Sequence, residues 1–312
     1  MRRMARLRMI SGTTGLIGLL GQPVSHSLSP VMHNAALKAM DLDWRYLALP
    51  CGSEDLEAVL GGLHAVGCHG LNVTIPHKQQ VADLCRELSP LAKRLGAVNT
   101  LTPLKDGGWH GHNTDAEGFL APLQSSPELW KGAAALVLGC GGSARAVVAG
   151  LQQLPLSAIH IAGRRPDALE AFVNDLSSDQ DRGSVPLIAM ALEPEPLSRI
   201  VKRSKLVVNT TPVGMQGHGD HDPIPLGRDL WEGVDASMTF YDLIYTPRPT
   251  PWLKLGQQNG CRTIDGLEML IQQGAASLRR WSGREDVPVA LMRAGALQSL
   301  GADQDQSERS AD

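Results

Sequence analysis

Several features that define common classes of protein are missing from this sequence. Its five cysteines are an odd number, lie far apart and form no C-x-x-C pair. That spacing argues against a disulfide framework and a thiolate metal site, and it favours a reducing cytoplasm. No apolar run approaches the roughly 18 residues that would span a bilayer. The arginine-rich start lacks the apolar stretch of a signal peptide, so we interpret it as a solvated arm.

A strong charge of either sign is also missing. The chain has 312 residues, of which 29 are Lys or Arg and 32 are Asp or Glu, and its formal charge is −3. No basic stripe of the kind that binds nucleic acid is present, and we expect no nucleic-acid partner and no membrane partner. Walker loops, H-E-x-x-H helices and G-x-S-x-G turns are absent as well.

The histidines do not predict a metal site. His110-x-His112 and His218-x-x-His221 have no further ligands at the spacing that metal sites use. We therefore interpret both pairs as surface loops and expect no metal.

Short apolar runs alternate with helical patterns along most of the chain, and the length suggests two domains at roughly 150 residues each. Such alternation predicts parallel strands joined by crossover helices. The first series has candidate strands at 15–20, 44–49, 70–74 and 97–101, and candidate helices at 30–40, 54–63 and 77–88. The second has candidate strands at 134–139, 157–162, 205–209 and 234–243, and candidate helices at 143–154 and 167–176. The composition places the boundary within 122–132.

The region after Leu267 has the pattern of a helix with two distinct faces. Apolar or small residues recur at helical spacing and share one stripe. Gly266, Met269 and Gln273 cluster within roughly 60° of each other on a different face. Periodicity leaves two interpretations of that face open, a solvated surface and a surface that meets a ligand.

Residues 136–147 predict a dinucleotide site. An apolar strand leads into a G-x-G-x-x-A turn and then into a helix of small residues. Gly139 permits the tight turn, Gly141 lets the backbone approach a pyrophosphate, and Ala144 allows the helix to pack closely on the strand. The helix N-terminus adds unpaired N–H donors and the positive end of a dipole.

The turn after the next strand indicates which dinucleotide is bound. An NAD enzyme usually places Asp or Glu there, but this chain has Gly163-Arg164-Arg165. Arginine suits a 2′-phosphate by charge and by fork geometry, which favours NADP over NAD. The alternative is a solvated basic turn, and Asp167 fits better as an opening residue of the following helix.

Two polar segments lie where a buried strand should end. Thr74 and Lys78 follow the strand at 70–74, at the end where open α/β sheets bind ligands. Asp115 precedes a helix at 116–123, where it is either a cap or a functional carboxylate. A lysine held near an aspartate can deliver a proton during ketone–alcohol interconversion and stabilise developing alkoxide charge. Ser27 and Ser29 either cap the helix at 30 or hold a polyol or carboxylate.

Taken together, these segments resemble the shikimate dehydrogenase family over about residues 15–281. The motifs that carry the resemblance occur in the family's order. They are GQPVSHSLSP (21–30), NVTIPHK (72–78), GAVNT (96–100), GHNTDAEG (111–118), GCGGSAR (139–145), NTTPVGM (209–215), DLIYTP (242–247), TP (250–251) and DGLEML (265–270).

The resemblance implies two α/β domains with the active site in the cleft between them. An N-terminal substrate-binding catalytic domain at 11–115 is completed by C-terminal helices at 266–300. A Rossmann domain at 116–265 binds NADP(H), and residues 1–10 and 301–312 are flexible ends. The implied reaction is NADPH-dependent reduction of 3-dehydroshikimate to shikimate, a cytoplasmic step of aromatic amino-acid biosynthesis.

The resemblance also implies roles for individual residues. Lys78 and Asp115 form the catalytic pair, and Arg164 matches the family's 2′-phosphate arginine. The residues that hold the substrate are Ser27, Ser29, Thr74, Asn99, Asp115, Tyr245 and Gln273. The residues that cradle the pyrophosphate are Gly139, Gly141, Gly142, Ser143, Ala144 and Arg145. The residues beside the nicotinamide are Met215, Gly266 and Met269.

Some positions depart from the family's commonest pattern. Gly163-Arg164-Arg165 stands where Asn-Arg-Thr is frequent, and Glu268 replaces a frequent Gly; neither Arg165 nor Glu268 receives a role. Two alternatives stay open: an NAD-using quinate/shikimate dehydrogenase, and a non-catalytic shikimate-sensing protein. The retained Lys78 and Asp115 argue against the sensor. The oligomeric state is not determined by the sequence, and a homodimer is one assembly that it allows.

Overall fold

The structure is a computed structural model that describes residues 9–177, 184–215 and 224–309. The chain divides into two compact units. The first takes in the chain up to Thr114 and from Ile271 onward, and the second is Asp115–Leu270. Each unit is built on its own six-stranded sheet with helices, so the predicted α/β class is confirmed.

The first sheet has the strand order β2-β1-β3-β5-β6-β4. Its strands are β1 (Gly15–Gly21), β2 (Trp44–Pro50), β3 (Gly70–Val73), β4 (Glu87–Leu88), β5 (Thr100–Pro103) and β6 (Trp109–His112). The core beneath it is apolar and includes Leu20, Leu71, Val73, Val98 and Leu101.

The first sheet is mixed, which corrects the expectation of parallel strands throughout. β1 is parallel to β2 and β3, whereas β5 is antiparallel to both β3 and β6. Only five residues join β5 to β6, and a connection this short can link antiparallel strands only. Gly107 and Gly108 in that connection both have positive φ.

The interpretation of His110 and His112 as a surface loop is wrong, because both lie in β6. Their rings are 4.1 Å apart. Burial, with His110 and Arg280 nearby, lowers the pKa of His112 to about 4. The other pair, His218 and His221, lies outside the described residues.

Three helices of the first unit begin close to their predicted positions: α1 (Ser29–Ala39), α2 (Leu56–Ala65) and α3 (Lys78–Leu84). The C-terminal region is helical as expected, with α11 (Val289–Arg309) and most of α10 (Gly266–Ser282), whereas α4 (Pro90–Leu95) was not predicted. The predicted helix at 77–88 is wrong after Leu84. Cys85 takes an extended conformation that ends α3, and residues 87–88 pair with β6 as β4.

α11 continues to Arg309 and so takes in most of the segment 301–312 that the sequence assigns to a flexible end. Residues 1–8 of the other predicted end lie outside the described part of the chain. Among the described helices, none combines the length and apolar character needed to span a membrane.

The second sheet is parallel throughout, in the order β12-β11-β10-β7-β8-β9. Its strands are β7 (Ala134–Leu138), β8 (Ala158–Gly163), β9 (Leu187–Ala191), β10 (Ser204–Asn209), β11 (Thr239–Asp242) and β12 (Arg262–Ile264). Its helices are α5 (Asp115–Leu120), α6 (Gly142–Leu151), α7 (Pro166–Ser177), α8 (Pro194–Val201) and α9 (Pro251–Gln258). The chain order of the strands changes direction at β7, which has β8 on one side and β10 on the other.

The predicted strand at 234–243 is wrong over its first half, because β11 begins only at Thr239. The Asp235 carboxylate accepts a hydrogen bond from the Ser237 N–H at 2.7 Å and so closes a turn. A polar side chain that bonds its own backbone in this way competes with strand pairing.

Candidate active site

The topology of the first sheet brings several predicted site residues to one edge. β1 and β3 are parallel neighbours, so the segments after Gly21 and Val73 leave the sheet at the same edge. β5 is antiparallel to β3, and Asn72 pairs with Thr100, which places the start of β5 at that edge too. β6 ends there as well, because His112 pairs with Thr100. Ser27, Ser29, Thr74, Lys78 and Asn99 all belong to the segments that meet at this edge.

Thr74 and Lys78 are held by their backbones. The Thr74 N–H donates to the Leu20 carbonyl at 2.9 Å, which ties the end of β3 to β1. Lys78 is the first residue of α3, and its carbonyl accepts from the Val98 N–H at 2.8 Å. The preceding His77 is buried, with Nε2 2.7 Å from the Cys51 carbonyl. These hydrogen bonds fix the backbone at Lys78, whose side chain is half-buried.

The two serines lie at the start of α1. The N-cap is Leu28, which makes no side-chain cap. Ser27 Oγ instead accepts from the Ser29 N–H at 3.2 Å. Ser29 is buried, and its carbonyl lies 2.8 Å from His33 Nδ1, while the Gly274 carbonyl lies 3.3 Å from His33 Nε2. Burial lowers the pKa of His33 to about 4, which keeps the ring neutral at physiological pH.

Asn99 and Gln273 contact each other directly. Asn99 is 2% exposed and Gln273 is 9% exposed, and Asn99 Nδ2 donates to Gln273 Oε1 at 3.3 Å. α10 carries Gln273 on a different face from the buried Leu267, Ile271 and Leu278. Of the two interpretations left open for this face, a solvated surface is excluded at Gln273.

Asp115 is the first residue of α5 and is 7% exposed. A carboxylate at a helix start interacts favourably with the helix dipole, which fits the capping alternative. The preceding Thr114 N–H donates to Asn99 Oδ1 at 2.8 Å, so the backbone just before Asp115 is fixed to Asn99.

In the second unit, the turn after β7 is formed mostly by glycines. Gly139 has φ of +102°, and a Cβ there would lie 2.7 Å from Thr210 Oγ1. A Cβ at Gly141 or Gly142 would meet no atom within 4 Å, so space lies open over this backbone. The α6 N-cap, Gly141, has no side-chain cap, which leaves helix N–H donors for an anion.

The Arg145 side chain is directed toward α7. Its guanidinium pairs with Asp175 at 2.8 Å and lies 5.5 Å from the centre of the Phe172 ring. Ser143 and Ala144 belong to the first turn of α6. Any contact of residues 143–145 with a phosphate at this turn is therefore best made by backbone N–H groups.

Arg164 and Arg165 follow β8 and are exposed, at the same edge as the glycine turn. α7 begins at Pro166 with Asp167 in its first turn, as the sequence predicts. Two guanidiniums with no acid at the strand end favour a ligand that carries a further phosphate.

A buried acid organises the loop after β10. Asp242, fully buried, accepts from Asn209 Nδ2 at 3.0 Å and from Thr250 Oγ1 at 2.8 Å. Burial raises its pKa to about 6 despite these bonds. Asn209 Nδ2 also donates to the Val213 carbonyl at 3.2 Å, which shapes the loop leading to the exposed Met215.

The remaining predicted residues of the second unit lie after β11 and at the start of α10. Tyr245 is half-buried, and burial raises the pKa of its phenol. Gly266 is buried against the chain: a Cβ there would lie 1.9 Å from the Leu243 carbonyl oxygen. Met269 is half-buried one turn further along. Of these positions, Gly266 packs against the segment that follows β11, and its N–H donates to the Ile244 carbonyl at 3.1 Å.

Sequence reasoning missed a cluster of buried polar side chains in the first unit. Asn72 is 4% exposed, Thr100, Thr114 and Ser277 are fully buried, and the four are hydrogen-bonded to one another. The signal was present, because Asn72 interrupts an otherwise apolar strand and Ser277 lies within the apolar half of α10. Polar residues on buried faces require partners, and one sequence does not say which ones.

A cavity of about 550 Å³ lies elsewhere, at the amino ends of β7, β8 and β10. Lys131, His160, Arg203 and Lys205 are among its lining residues, and none of the predicted site residues lines it. Ligands of open α/β sheets bind at the opposite, carboxyl ends. We therefore place the candidate site at the carboxyl ends and not in this cavity.

Comparisons with known proteins identify the family of the chain. The family model for the shikimate dehydrogenase substrate binding domain matches residues 19–101, and that for the shikimate 5′-dehydrogenase C-terminal domain matches residues 266–296. A curated shikimate dehydrogenase (NADP(+)) from Synechocystis sp. (strain ATCC 27184 / PCC 6803 / Kazusa) is 48% identical over 292 residues, covering 93% of this chain and 98% of its own. Its counterpart from Prochlorococcus marinus (strain MIT 9515) is 44% identical over 284 residues, covering 91% and 97%.

Solved structures are similar along nearly the whole chain. A shikimate 5-dehydrogenase from Thermus thermophilus, in complex with NADP(H) and shikimate, is 32% identical with a TM-score of 0.78, covering 91% of this chain and 99% of that one. A quinate dehydrogenase from Corynebacterium glutamicum, in complex with NAD, is 29% identical with a TM-score of 0.81, covering 91% and 99%.

Proposed function

Since the chain belongs to the shikimate dehydrogenase family, we propose that it is an NADP-dependent shikimate dehydrogenase, which reversibly reduces 3-dehydroshikimate to shikimate. The observation that carries the proposal is the gathering of Thr74, Lys78 and Asn99 at one edge of the first sheet. The carboxyl ends of the second sheet supply a glycine turn and an arginine pair.

The substrate is a cyclic carboxylic acid that carries hydroxyl groups. Ser27, Ser29, Thr74, Asn99 and Gln273 offer hydroxyls and amides, which pair with such groups as donors and acceptors. Asp115 and Tyr245 complete this set. We assign the substrate to residues 11–115 with 266–300, and NADP(H) to residues 116–265.

NADP(H) fits the second unit on its own geometry. The open backbone at Gly141 and Gly142 leaves room for a pyrophosphate, and Arg164 suits the 2′-phosphate. Met215, Gly266 and Met269 are assigned to the nicotinamide. When bound, NADPH supplies a hydride to the carbonyl carbon of the substrate.

The protein has to manage the charge that this transfer leaves on oxygen. Lys78 stabilises the developing alkoxide and donates a proton to it, so that the ketone becomes an alcohol. Asp115 orients Lys78 and a substrate hydroxyl. In the reverse direction the same pair withdraws the proton as the alcohol is oxidised.

The proposed function is tested by initial rates with four substrate–cofactor pairs, shikimate or quinate with NADP or NAD. We expect the highest kcat/KM with shikimate and NADP. A preference for quinate and NAD would support the related quinate dehydrogenase instead. Binding of shikimate without turnover of any pair would support a sensor.

The proposal also covers the metabolic pathway, the cellular compartment and the oligomeric state of the enzyme. The reaction belongs to the shikimate pathway and so to aromatic amino-acid biosynthesis. All five cysteines are unpaired, which suits a reducing cytoplasm. A homodimer stays a prediction, which light scattering of the purified chain would check.

A further inference from the structure

Four hydroxyl and amide side chains lie in a buried cluster behind Asn99 and Gln273. Thr100 is at its centre: Thr100 Oγ1 lies 2.8 Å from Ser277 Oγ, 3.1 Å from Thr114 Oγ1 and 3.0 Å from Asn99 Oδ1. Asn72 Nδ2 lies 3.3 Å from the same oxygen and 2.9 Å from Ser277 Oγ. The sequence predicts a role in substrate binding for Asn99 but for none of the four side chains of the cluster.

Backbone groups determine which way the Asn99 amide faces. The Thr114 N–H lies 2.8 Å from one end of the amide, and an N–H can only donate, so that end must be Oδ1. Nδ2 is then the end that faces Gln273 at 3.3 Å, so the facing Gln273 atom must be its acceptor, Oε1. The Gln273 amide nitrogen is thereby turned away from Asn99.

The hydroxyls connect this arrangement to the main chain of α10. Each hydroxyl has one hydrogen to donate. Asn99 Nδ2 donates to Thr114 Oγ1 at 3.0 Å, and the chain continues through Thr100 and Ser277 to the Gln273 carbonyl, 3.0 Å from Ser277 Oγ. Thr100 Oγ1 lies within hydrogen-bond distance of both the Asn99 side chain and Ser277, and a longer direct contact of 3.3 Å joins Thr114 Oγ1 to Ser277 Oγ.

We propose that Thr100 is a positioning residue for substrate recognition, whose hydroxyl joins the Asn99 side chain to Ser277 and so to the main chain of α10 that carries Gln273. Gln273 then presents N–H donors, which select a carboxylate or hydroxyl oxygen. The inference rests on the proposed function, because it takes shikimate as the ligand of those amides. Thr100 is 0% exposed and acts only through its neighbours.

The strand provides a matched control. Thr102 lies two residues along β5, on the same face as Thr100, and its Oγ1 is buried with no hydrogen-bond partner among the described residues. Thr100→Val and Thr102→Val each replace a hydroxyl by a methyl of similar size, but only the first breaks the chain of hydrogen bonds. Thr100→Ser keeps the hydroxyl and serves as the rescue.

The test is steady-state kinetics of shikimate oxidation by NADP, together with the melting temperature of each variant. We expect Thr100→Val to raise the KM for shikimate about tenfold, the scale of one buried hydrogen bond, with the KM for NADP unchanged within twofold. Thr100→Ser should recover most of the loss, and Thr102→Val should match the wild type. A second pair, Ser277→Ala against Ser282→Ala, repeats the comparison on α10. Both serines bond the carbonyl four residues back, but only Ser277 joins the cluster.

An unchanged shikimate KM in folded Thr100→Val and Ser277→Ala would overturn the inference. Equal losses in Thr100→Val and Thr102→Val, or in both KM values, would also overturn it, because they would reflect general loosening. Should Thr100→Val fail to fold, Ser277→Ala decides. A wild-type protein that turns over no shikimate would instead refute the proposed function, so the two failures are distinguishable.

Discussion

Lys78 and Asp115 are the two side chains on which the proposed chemistry depends most. Lys78→Ala and Asp115→Asn should each reduce kcat by about 10²- to 10⁴-fold, the usual contribution of a positioned acid–base group. The double variant should be little worse than the worse single one, because the two act as a unit. Initial-rate assays at saturating substrate measure kcat for each variant.

Lys93, exposed on α4, offers the matched control, since Lys93→Ala removes a lysine of the same unit away from the predicted site. It should keep the wild-type kcat. If Asp115 were only a cap, Asp115→Asn would keep the cap, lose only the charge–dipole interaction of about 0.3–1 kcal/mol, and leave turnover intact. Full turnover by folded Lys78→Ala would exclude it from the catalytic pair.

Arg164 decides between the two dinucleotides. Arg164→Ala should weaken NADP binding by roughly 10- to 150-fold, the value of a charge-assisted hydrogen bond, and leave NAD binding nearly unchanged. Titration calorimetry with both dinucleotides measures the two affinities. Arg165 stands next to it and can compensate in part, so the double variant should show the larger loss.

Arg203 provides the comparison, because it precedes β10 and lines the cavity at the opposite edge of the sheet. Arg203→Ala should bind both dinucleotides as the wild type does. Equal losses of NADP and NAD affinity in Arg164→Ala would contradict a role in 2′-phosphate recognition.

At the scale of helices and strands, the start of α10 depends on the absence of a side chain at Gly266. A Cβ would lie 1.9 Å from the Leu243 carbonyl oxygen, which cannot move without disturbing the segment after β11. Gly266→Ala should therefore lower the free energy of unfolding by at least about 1–3 kcal/mol. Urea unfolding of the purified variant measures the change.

Gly61 is the contrasting glycine, because it lies in α2 and a Cβ there would meet no atom within 4 Å. Gly61→Ala should stabilise the protein by about 0.4–1 kcal/mol, since alanine has less freedom to lose on folding. Similar effects of the two substitutions, in sign and size, would show that the contact at Leu243 is not restrictive.

Elements with a strong local pattern could be predicted from the sequence. The apolar run that becomes β7 and the small residues that open α6 are determined locally, and both begin within one residue of their predicted starts. β4 could not be predicted, because two residues have no periodicity and pair only once β6 is beside them. The direction of β5 depends equally on pairing partners that are distant in sequence.

The candidate site divides in the same way. The glycine turn and the basic turn after β8 are local motifs whose chemistry can be read from adjacent residues. The cluster around Thr100 joins residues from β3, β5, the segment before α5, and α10, so its members are separated by up to 205 positions. Each is an ordinary polar residue in sequence and becomes informative only when the fold brings them together.

At the scale of the whole molecule, buried titratable groups should make stability depend on pH. His33 is buried and its pKa falls from 6.5 to about 4, so between those values the unfolded chain binds a proton that the folded one does not. Its contribution to stability is complete above pH 6.5 and is lost as the pH falls, by about 1.4 kcal/mol per pH unit. His33→Phe should flatten this part of the profile, as measured by urea unfolding between about pH 4.5 and 6.

Asp242 provides a control of opposite sign. Its pKa rises from 3.8 to about 6, so between those values the folded state binds the extra proton and stability falls as the pH rises. Asp242→Asn should therefore make the stability of the protein increase more steeply with pH over this range. Parallel profiles for wild type, His33→Phe and Asp242→Asn would contradict both assignments.

The most direct test of the proposed activity is the consumption of NADPH by the purified protein with 3-dehydroshikimate, followed by absorbance and by quantifying shikimate. The assignment predicts one shikimate formed for each NADPH consumed, much slower consumption with NADH, and near-complete loss in Lys78→Ala. Folded wild-type protein that consumes no NADPH above the rate without protein, or that prefers NADH, would contradict it.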